Sequence, residues 1–311
     1  MDWEDFYFKI LRIRRTEEKI VQLYPTDVVK SPVHLSIGQE FISVAICAAL
    51  NVDDIAFGTY RSHALFLAKG GDIRAMWAEL FGKVGGMARG RAGSMHLGDP
   101  AVNMVGTSAI VATSIPNAVG YALAEKIRGS GRIVVAFFGD GATDEGVFHE
   151  SLNFASLKKL PILFVCENNS YAIYSHVHDR MPAANFIERA AGYLIPGTKV
   201  DDGTIDAVYF AARDAIDRVR RGAGPAFLEC ACSRWLDHVG PGSDVELGYR
   251  SLAELESWQR RDEVARVAGM LDESSRRQIE RAVDDELADA LIFAHESPFP
   301  DPTEVERHVF A

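Results

Sequence analysis

Apolar positions recur along the chain with two different periods, and together they predict an α/β architecture. Near the N-terminus Phe6, Ile10, Ile13, Ile20 and Leu23 fall roughly on one side at helical spacing, so residues 1 to about 24 read as a helix. Pro25 and Pro32 bracket a short link. Further helices are expected at about 37–50, 62–69 and 72–81, with a short strand at Ile55-Ala56-Phe57. A glycine-rich stretch from Gly82 to Gly98 follows, and then an alanine-rich helix at about 113–128. Arg132 to Phe138 contains a continuous apolar run, as in a parallel strand covered on both faces, and it ends at Gly139-Asp140-Gly141. A helix at about 146–159 leads to a second such run, Ile162 to Cys166. Strand, loop, helix and strand in that order predict parallel pairing through a right-handed crossover. A helix at 204–221, a strand from Ala226 to Ala231 and a charged helical tail from about 251 complete the pattern. The expected fold is α/β, a mostly parallel central sheet flanked by helices. With no internal repeat and no dividing linker, residues 1–311 are expected to form a single domain with helical extensions at both ends.

Composition narrows the partners. The 311 residues are 48% hydrophobic and 25% charged, ordinary values for a chain with a sizeable core. Lys and Arg number 33 against 44 Asp and Glu, a formal charge of −11, which opposes nucleic acid or an anionic membrane as the main partner. The acidic start Met1-Asp2-Trp3-Glu4-Asp5 has no apolar signal core, and no apolar stretch approaches bilayer length, so a cytoplasmic protein is expected. Cys47, Cys166, Cys230 and Cys232 sit in apolar runs without a C-x-x-C pair and read as buried reduced thiols.

Candidate chemistry gathers at two strand ends. Gly139-Asp140-Gly141-Ala142 closes one buried run, and Asn168-Asn169 closes the next. The carboxyl ends of adjacent parallel strands are where open α/β sheets bind ligands. Magnesium prefers hard oxygen ligands and keeps water or phosphate oxygens at several positions of its octahedron. The Asp140 carboxylate, the Asn169 amide oxygen and a following backbone carbonyl would supply half of that shell. The two glycines would let backbone amides approach a phosphate closely. Either motif alone is ordinary turn chemistry; the pair at this spacing, each after a buried strand, is far more specific.

The two motifs are similar to the thiamine diphosphate fingerprint, GDG followed by NN about thirty residues later. More specifically, the sequence resembles the alpha subunits of pyruvate, branched-chain 2-oxo acid and acetoin dehydrogenases. The matching blocks are His34-Leu35-Ser36-Ile37-Gly38-Gln39-Glu40, Tyr60-Arg61-Ser62-His63, Gly93-Ser94-Met95-His96, Lys159-Leu160-Pro161 and Pro298-Phe299-Pro300-Asp301-Pro302. They run in the family's order over nearly the whole chain. The resemblance implies that Asp140, Asn169 and the carbonyl of Tyr171 hold Mg2+, and that Gly141 and Ala142 face the diphosphate through backbone amides. It implies that Tyr60 and Arg61 contact the diphosphate, a task that suits the fixed fork of a guanidinium. Ala109 and Val111 match the loop that meets the aminopyrimidine, with Ala109 in place of the more usual glycine or serine. His34 and His238 match two histidines beside cofactor and substrate.

The reaction so implied is decarboxylation of a 2-oxo acid, with the acyl group passed to a lipoyl group on an acyltransferase partner. A homologous beta subunit would supply the glutamate that activates the cofactor and complete a heterotetramer, leaving this chain half of an active site. The cofactor-binding half of a split transketolase, a related biosynthetic acyl-transferring enzyme and a non-catalytic binding subunit are the alternatives. Arg234-Trp235-Leu236-Asp237-His238-Val239 departs from the Tyr-x-Gly-His-Ser pattern of familiar pyruvate enzymes, which leaves the substrate open between 2-oxo acids and acetoin. Animal relatives carry kinase-modified serines at the places of Val239 and Gly248, so that mode of switching is expected to be absent here.

Overall fold

The two apolar runs are neighbouring parallel strands in the computed structural model, which describes residues 1–307. The chain opens with helices α1 (Trp3–Leu23) and α2 (Glu40–Ala49), strand β1 (Ile55–Phe57), helices α3 (His63–Ala68) and α4 (Ile73–Leu80), and strand β2 (Met104–Gly106). Helix α5 (Ser114–Arg128), β3 (Val134–Gly139), α6 (Gly146–Leu157) and β4 (Ile162–Asn168) follow as the expected strand–helix–strand unit. A hairpin of β5 (Tyr171–Ala172) and β6 (Ser175–His176) runs into α7 (Val177–Arg180) and α8 (Phe186–Ala191). Then come β7 (Gly197–Val200), α9 (Ile205–Arg220), β8 (Ala226–Ala231), α10 (Leu252–Gln259), α11 (Glu263–Ala268) and α12 (Glu273–Glu296). The main sheet has six strands in the order β2-β1-β3-β4-β8-β7, every pair parallel.

The unalternating apolar runs have a direct cause. Successive strand residues face opposite sides of a sheet, and both sides here are covered. Val135, Phe137, Leu163, Val165 and Leu228 join a core built on α1, α2, α4 and α9. Val134, Ala136, Phe138, Ile162, Phe164 and Phe227 join a second core against α5, α6 and α8. Burying each large side chain stabilises the fold by roughly 1.5–3 kcal/mol.

Local chemistry moves several boundaries. The second helix begins at Glu40 rather than about 37, because Gly38 sits at φ +94° with its N–H held by the Glu40 carboxylate at 2.8 Å. A Cβ there would lie 2.3 Å from the Ser233 carbonyl oxygen, so no other residue fits. The first apolar run, β3, starts at Val134 rather than Arg132, since Arg132 turns outward to pair with Glu125 at 2.8 Å. The edge strands β2 and β7 were not expected: one is three residues long and the other, Gly-Thr-Lys-Val, is mostly exposed and polar. Of the four free cysteines only three are buried; Cys47 is partly exposed on α2.

The glycine-rich stretch owes its order to one side chain. Glu79, buried on α4, accepts backbone N–H bonds from Ala88, Gly90, Ala92 and Gly93 at 2.6–3.1 Å. Glu79→Gln keeps the shape but turns an amide NH2 toward two of these donors. Each buried donor left without an acceptor costs about 1–3 kcal/mol. Chemical denaturation should therefore find the variant roughly 2–6 kcal/mol less stable, and a loss well below ~1 kcal/mol would remove Glu79 from this role.

Candidate functional site

At the carboxyl ends of β3 and β4 the parallel register places Gly139 beside Glu167, so the turns that follow stand side by side. A cavity of about 290 Å³ opens there, lined by Asp140, Gly141, Ala142, Asn169, Tyr171, Tyr60, Arg61, Val111 and His238 among others. Nine of the eleven expected site residues, His238 among them, thus meet in one space. The two that do not are instructive. Ala109 is absent from the lining although its neighbours Ser108 and Ile110 reach it. His34 stands one layer back, its ring 4.4 Å from Tyr60 and 5.0 Å from His238.

Asp140 opens the short 3-10 turn Asp140–Asp144, where its carbonyl accepts the Thr143 hydroxyl at 2.8 Å. Its side chain is 1% exposed. Oδ2 accepts from Arg180, but Oδ1 is buried with no hydrogen-bond partner. Burial pushes this carboxyl up to about 6, against the pull of Arg180. A bare carboxylate oxygen in such a place is costly unless a ligand meets it.

The two asparagines divide the work. Asn168 turns to the sheet and donates to Glu229 at 2.9 Å. Asn169 donates through Nδ2 to Gln39 at 2.9 Å and accepts the Tyr171 N–H through Oδ1 at 3.1 Å. Because a backbone N–H can only donate, that second contact fixes which amide atom is oxygen. Gly141 completes the cradle: a Cβ on it would come within 2.7 Å of the Ala172 Cβ, so the turn and the hairpin approach as closely as they do only with glycine. No three His, Cys, Asp or Glu side chains converge on a metal position among the described residues. What Asp140, Asn169 and Tyr171 offer instead is one carboxylate, one amide and a backbone carbonyl, a hard oxygen set of the kind magnesium takes when phosphate and water fill the remainder.

Arg61 brings positive charge to the same wall. It donates to the carbonyls of Leu35 at 2.5 Å and His238 at 3.2 Å, two of the five N–H groups a guanidinium carries. Burial lowers its pKa, with Arg234 adding to the effect. His34 and His238 are both lowered to about 3, by burial first and then by Arg61, so both imidazoles are neutral near pH 7. His238 is set in place by the segment around it: its N–H meets the Asp237 carboxylate at 2.5 Å, and the Gly240 N–H meets the Val33 carbonyl at 2.8 Å. Arg234, nearly fully buried, braces that segment on Asp244 at 2.9 Å and reaches the Ile173 carbonyl at 2.7 Å. The departure from the familiar pattern around His238 is thus filled by a buried ion pair.

Sequence reasoning passed over several residues that line the cavity, among them Gln39, Thr59, Asp144, Glu167 and Ile173. Glu167 is buried beside Arg61, and burial raises its carboxyl to about 7. A strand-end glutamate directly before Asn-Asn was its only signal. Two other family-block residues prove structural. Ser94, His63 and Glu17 form a hydroxyl–imidazole–carboxylate chain at 2.8 and 3.0 Å, all three at 0% exposure and none lining the cavity. Glu17 also accepts the Ser36 N–H, so the chain clamps three matching blocks together.

Among the described residues no helix is long and apolar enough to cross a membrane. The family model described as dehydrogenase E1 component matches residues 8–303. The chain is 36% identical over 309 residues to the alpha subunit of acetoin:2,6-dichlorophenolindophenol oxidoreductase from Bacillus subtilis (strain 168), covering 98% of this chain and 92% of that one. It is 36% identical over 306 residues to the pyruvate dehydrogenase E1 component subunit alpha of Rhizobium meliloti (strain 1021), covering 96% and 87%. Neither name points to a sugar-phosphate transferase. On a match of this extent, the chain belongs to the dehydrogenase E1 component family.

Proposed function

We propose that this chain is the alpha subunit of a thiamine diphosphate-dependent dehydrogenase acting on a 2-oxo acid or on acetoin, working with a beta subunit. The observation that carries the reading is the cavity in which Asp140, with one buried unpartnered oxygen, meets Asn169, Tyr171, Gly141 and Arg61. The residues fit the cofactor and its cation. Asp140, Asn169 and the Tyr171 carbonyl hold Mg2+; the backbone of Gly141 and Ala142, with Tyr60 and Arg61, receives the diphosphate; the 108–111 loop, with Val111, supports the aminopyrimidine. When bound, thiamine diphosphate supplies a nucleophilic carbon and a sink for the electrons that carbon dioxide leaves behind.

This chain's own contribution is orientation and charge. Arg61 offsets the negative diphosphate from the cavity wall. His238, neutral at the cavity wall, can donate or accept a hydrogen bond at an imidazole nitrogen beside the substrate. His34 supports the Tyr60 and His238 rings from behind, a positioning role rather than the catalytic one implied by the resemblance. The beta subunit supplies the activating glutamate in a heterotetramer, and a lipoyl acyltransferase receives the acyl group. The whole chain acts as one diphosphate-side unit.

The test is the assembled alpha–beta enzyme given pyruvate, branched-chain 2-oxo acids or acetoin with an artificial electron acceptor. Acceptor reduction with at least one of these is expected. Aldehyde transfer between sugar phosphates, with no reduction, would replace this reading by the transketolase one.

A further inference from the structure

The two oxygens of Asp140 are in opposite circumstances. Oδ1 is buried and unpartnered in a residue that lines the cavity, whereas Oδ2 accepts from the Arg180 guanidinium. Arg180 ends the one-turn helix α7, and its side chain is only 13% exposed. Its second terminal nitrogen is anchored on Asp144, and its Nε donates to the Ser175 carbonyl at 3.3 Å. A guanidinium held at three points does not swing freely. Asn169 is treated similarly, with Gln39 holding its NH2.

We propose that Arg180 is a positioning residue for the cation: by occupying Oδ2 it limits Asp140 to one-oxygen ligation through Oδ1 and so favours magnesium over calcium. The proposal rests on the cation reading of the site. Its chemistry is that of the two ions. Magnesium demands a near-ideal octahedron at 2.0–2.1 Å, where a carboxylate gives one oxygen. Calcium accepts six to eight oxygens and readily takes both from one carboxylate. With Oδ2 engaged, Asp140 cannot offer the second oxygen; with Arg180 removed, it can. Partners that fix a ligating group in this way typically contribute 10–100-fold to metal affinity. A purely structural ion pair between α7 and the 140–144 turn would also lower stability when cut, but it would leave the choice of ion unchanged.

The experiment compares parent, Arg180→Gln, Arg180→Lys and Asp144→Asn, each assembled with the beta subunit. Magnesium and calcium chloride are titrated calorimetrically at fixed thiamine diphosphate, and melting of the metal-free protein is followed in parallel. Arg180→Gln should weaken magnesium binding ~10–100-fold and calcium binding much less, so that the magnesium-to-calcium preference falls at least ~5-fold. Arg180→Lys, which keeps the charge, should retain part of the preference. Asp144→Asn, which loosens Arg180 without touching a proposed ligand, should show a smaller fall in the same direction. A preference within about twofold of the parent in Arg180→Gln overturns the proposal while leaving the cation site standing. Tighter magnesium binding in that variant overturns it too, because Arg180 would then be a competitor. If the parent binds neither ion, the cation reading itself falls, and this inference with it.

Discussion

Replacing Asp140 or Asn169 by alanine should abolish magnesium-dependent binding of thiamine diphosphate. Asp140 is the one carboxylate of the proposed oxygen set, and its Oδ1 has no other partner. Its loss removes the single carboxylate of that set, so affinity should fall by at least ~100-fold, beyond what outer-shell changes produce. Asn169→Ala removes the amide oxygen and also frees the Tyr171 N–H, so the hairpin that brings the third oxygen loses its tie. Both residues prove more buried than strand-end loops suggest, at 1% and 9% exposure. Even so, the fold should survive. Burial holds the Asp140 carboxyl above its usual range, a sign that its charge is penalised there, and Arg180 keeps Asp144 when Asp140 goes. Calorimetric titration of the assembled enzyme, with melting curves of the cofactor-free variants, is the measurement. Near-normal affinity in either variant would remove that residue from the ligand set.

The isolated chain should turn over no 2-oxo acid, whatever cofactor is supplied, and should gain activity only with its beta partner. At the cavity Ile110, Val111 and Ile173 are 66%, 41% and 50% exposed, a cluster of apolar side chains bordering what we read as the reacting end of the cofactor. Glu167 lines the same cavity, but the strand register sets it beside Gly139, on the side of Asp140. We propose, as the family resemblance implies, that the glutamate that activates the pyrimidine comes from the beta subunit. Artificial acceptor reduction by the purified chain alone, above the background of free cofactor, would end the half-site reading.

How much was legible follows from the range of the forces involved. Runs such as 134–138 and 162–166 declare themselves because a strand covered on both faces must be apolar throughout, and the turns at Gly139–Gly141 and Asn168–Asn169 inherit their places from them. The start of α2 was not legible, because Gly38 answers to Ser233, nearly two hundred residues away. Nor was the order of residues 88–93, which Glu79 imposes from a helix whose pattern gives no hint of it. At the site, Asp140 and Asn169 were visible as motif residues. Gln39 was visible only as part of a family block; its orienting role and that of Arg180 were not, since each acts across a tertiary contact that no local spacing records.

The packing of α1 carries a consequence for synthesis. Phe6, Ile10 and Ile13 are buried, and α1 lies against α12, where Arg12 pairs with Glu286 at 2.8 Å and the Tyr7 hydroxyl meets Glu280 at 3.1 Å. Glu273, the first residue of α12, leaves the ribosome about 250 residues after Leu23, the last of α1. At ~5–20 residues per second, that is on the order of 10–50 s during which part of the first helix's apolar face has no partner. Helices α2 and α3, which also pack on α1, emerge early, so the nascent chain keeps the α12-facing side of its first helix open until synthesis is nearly complete.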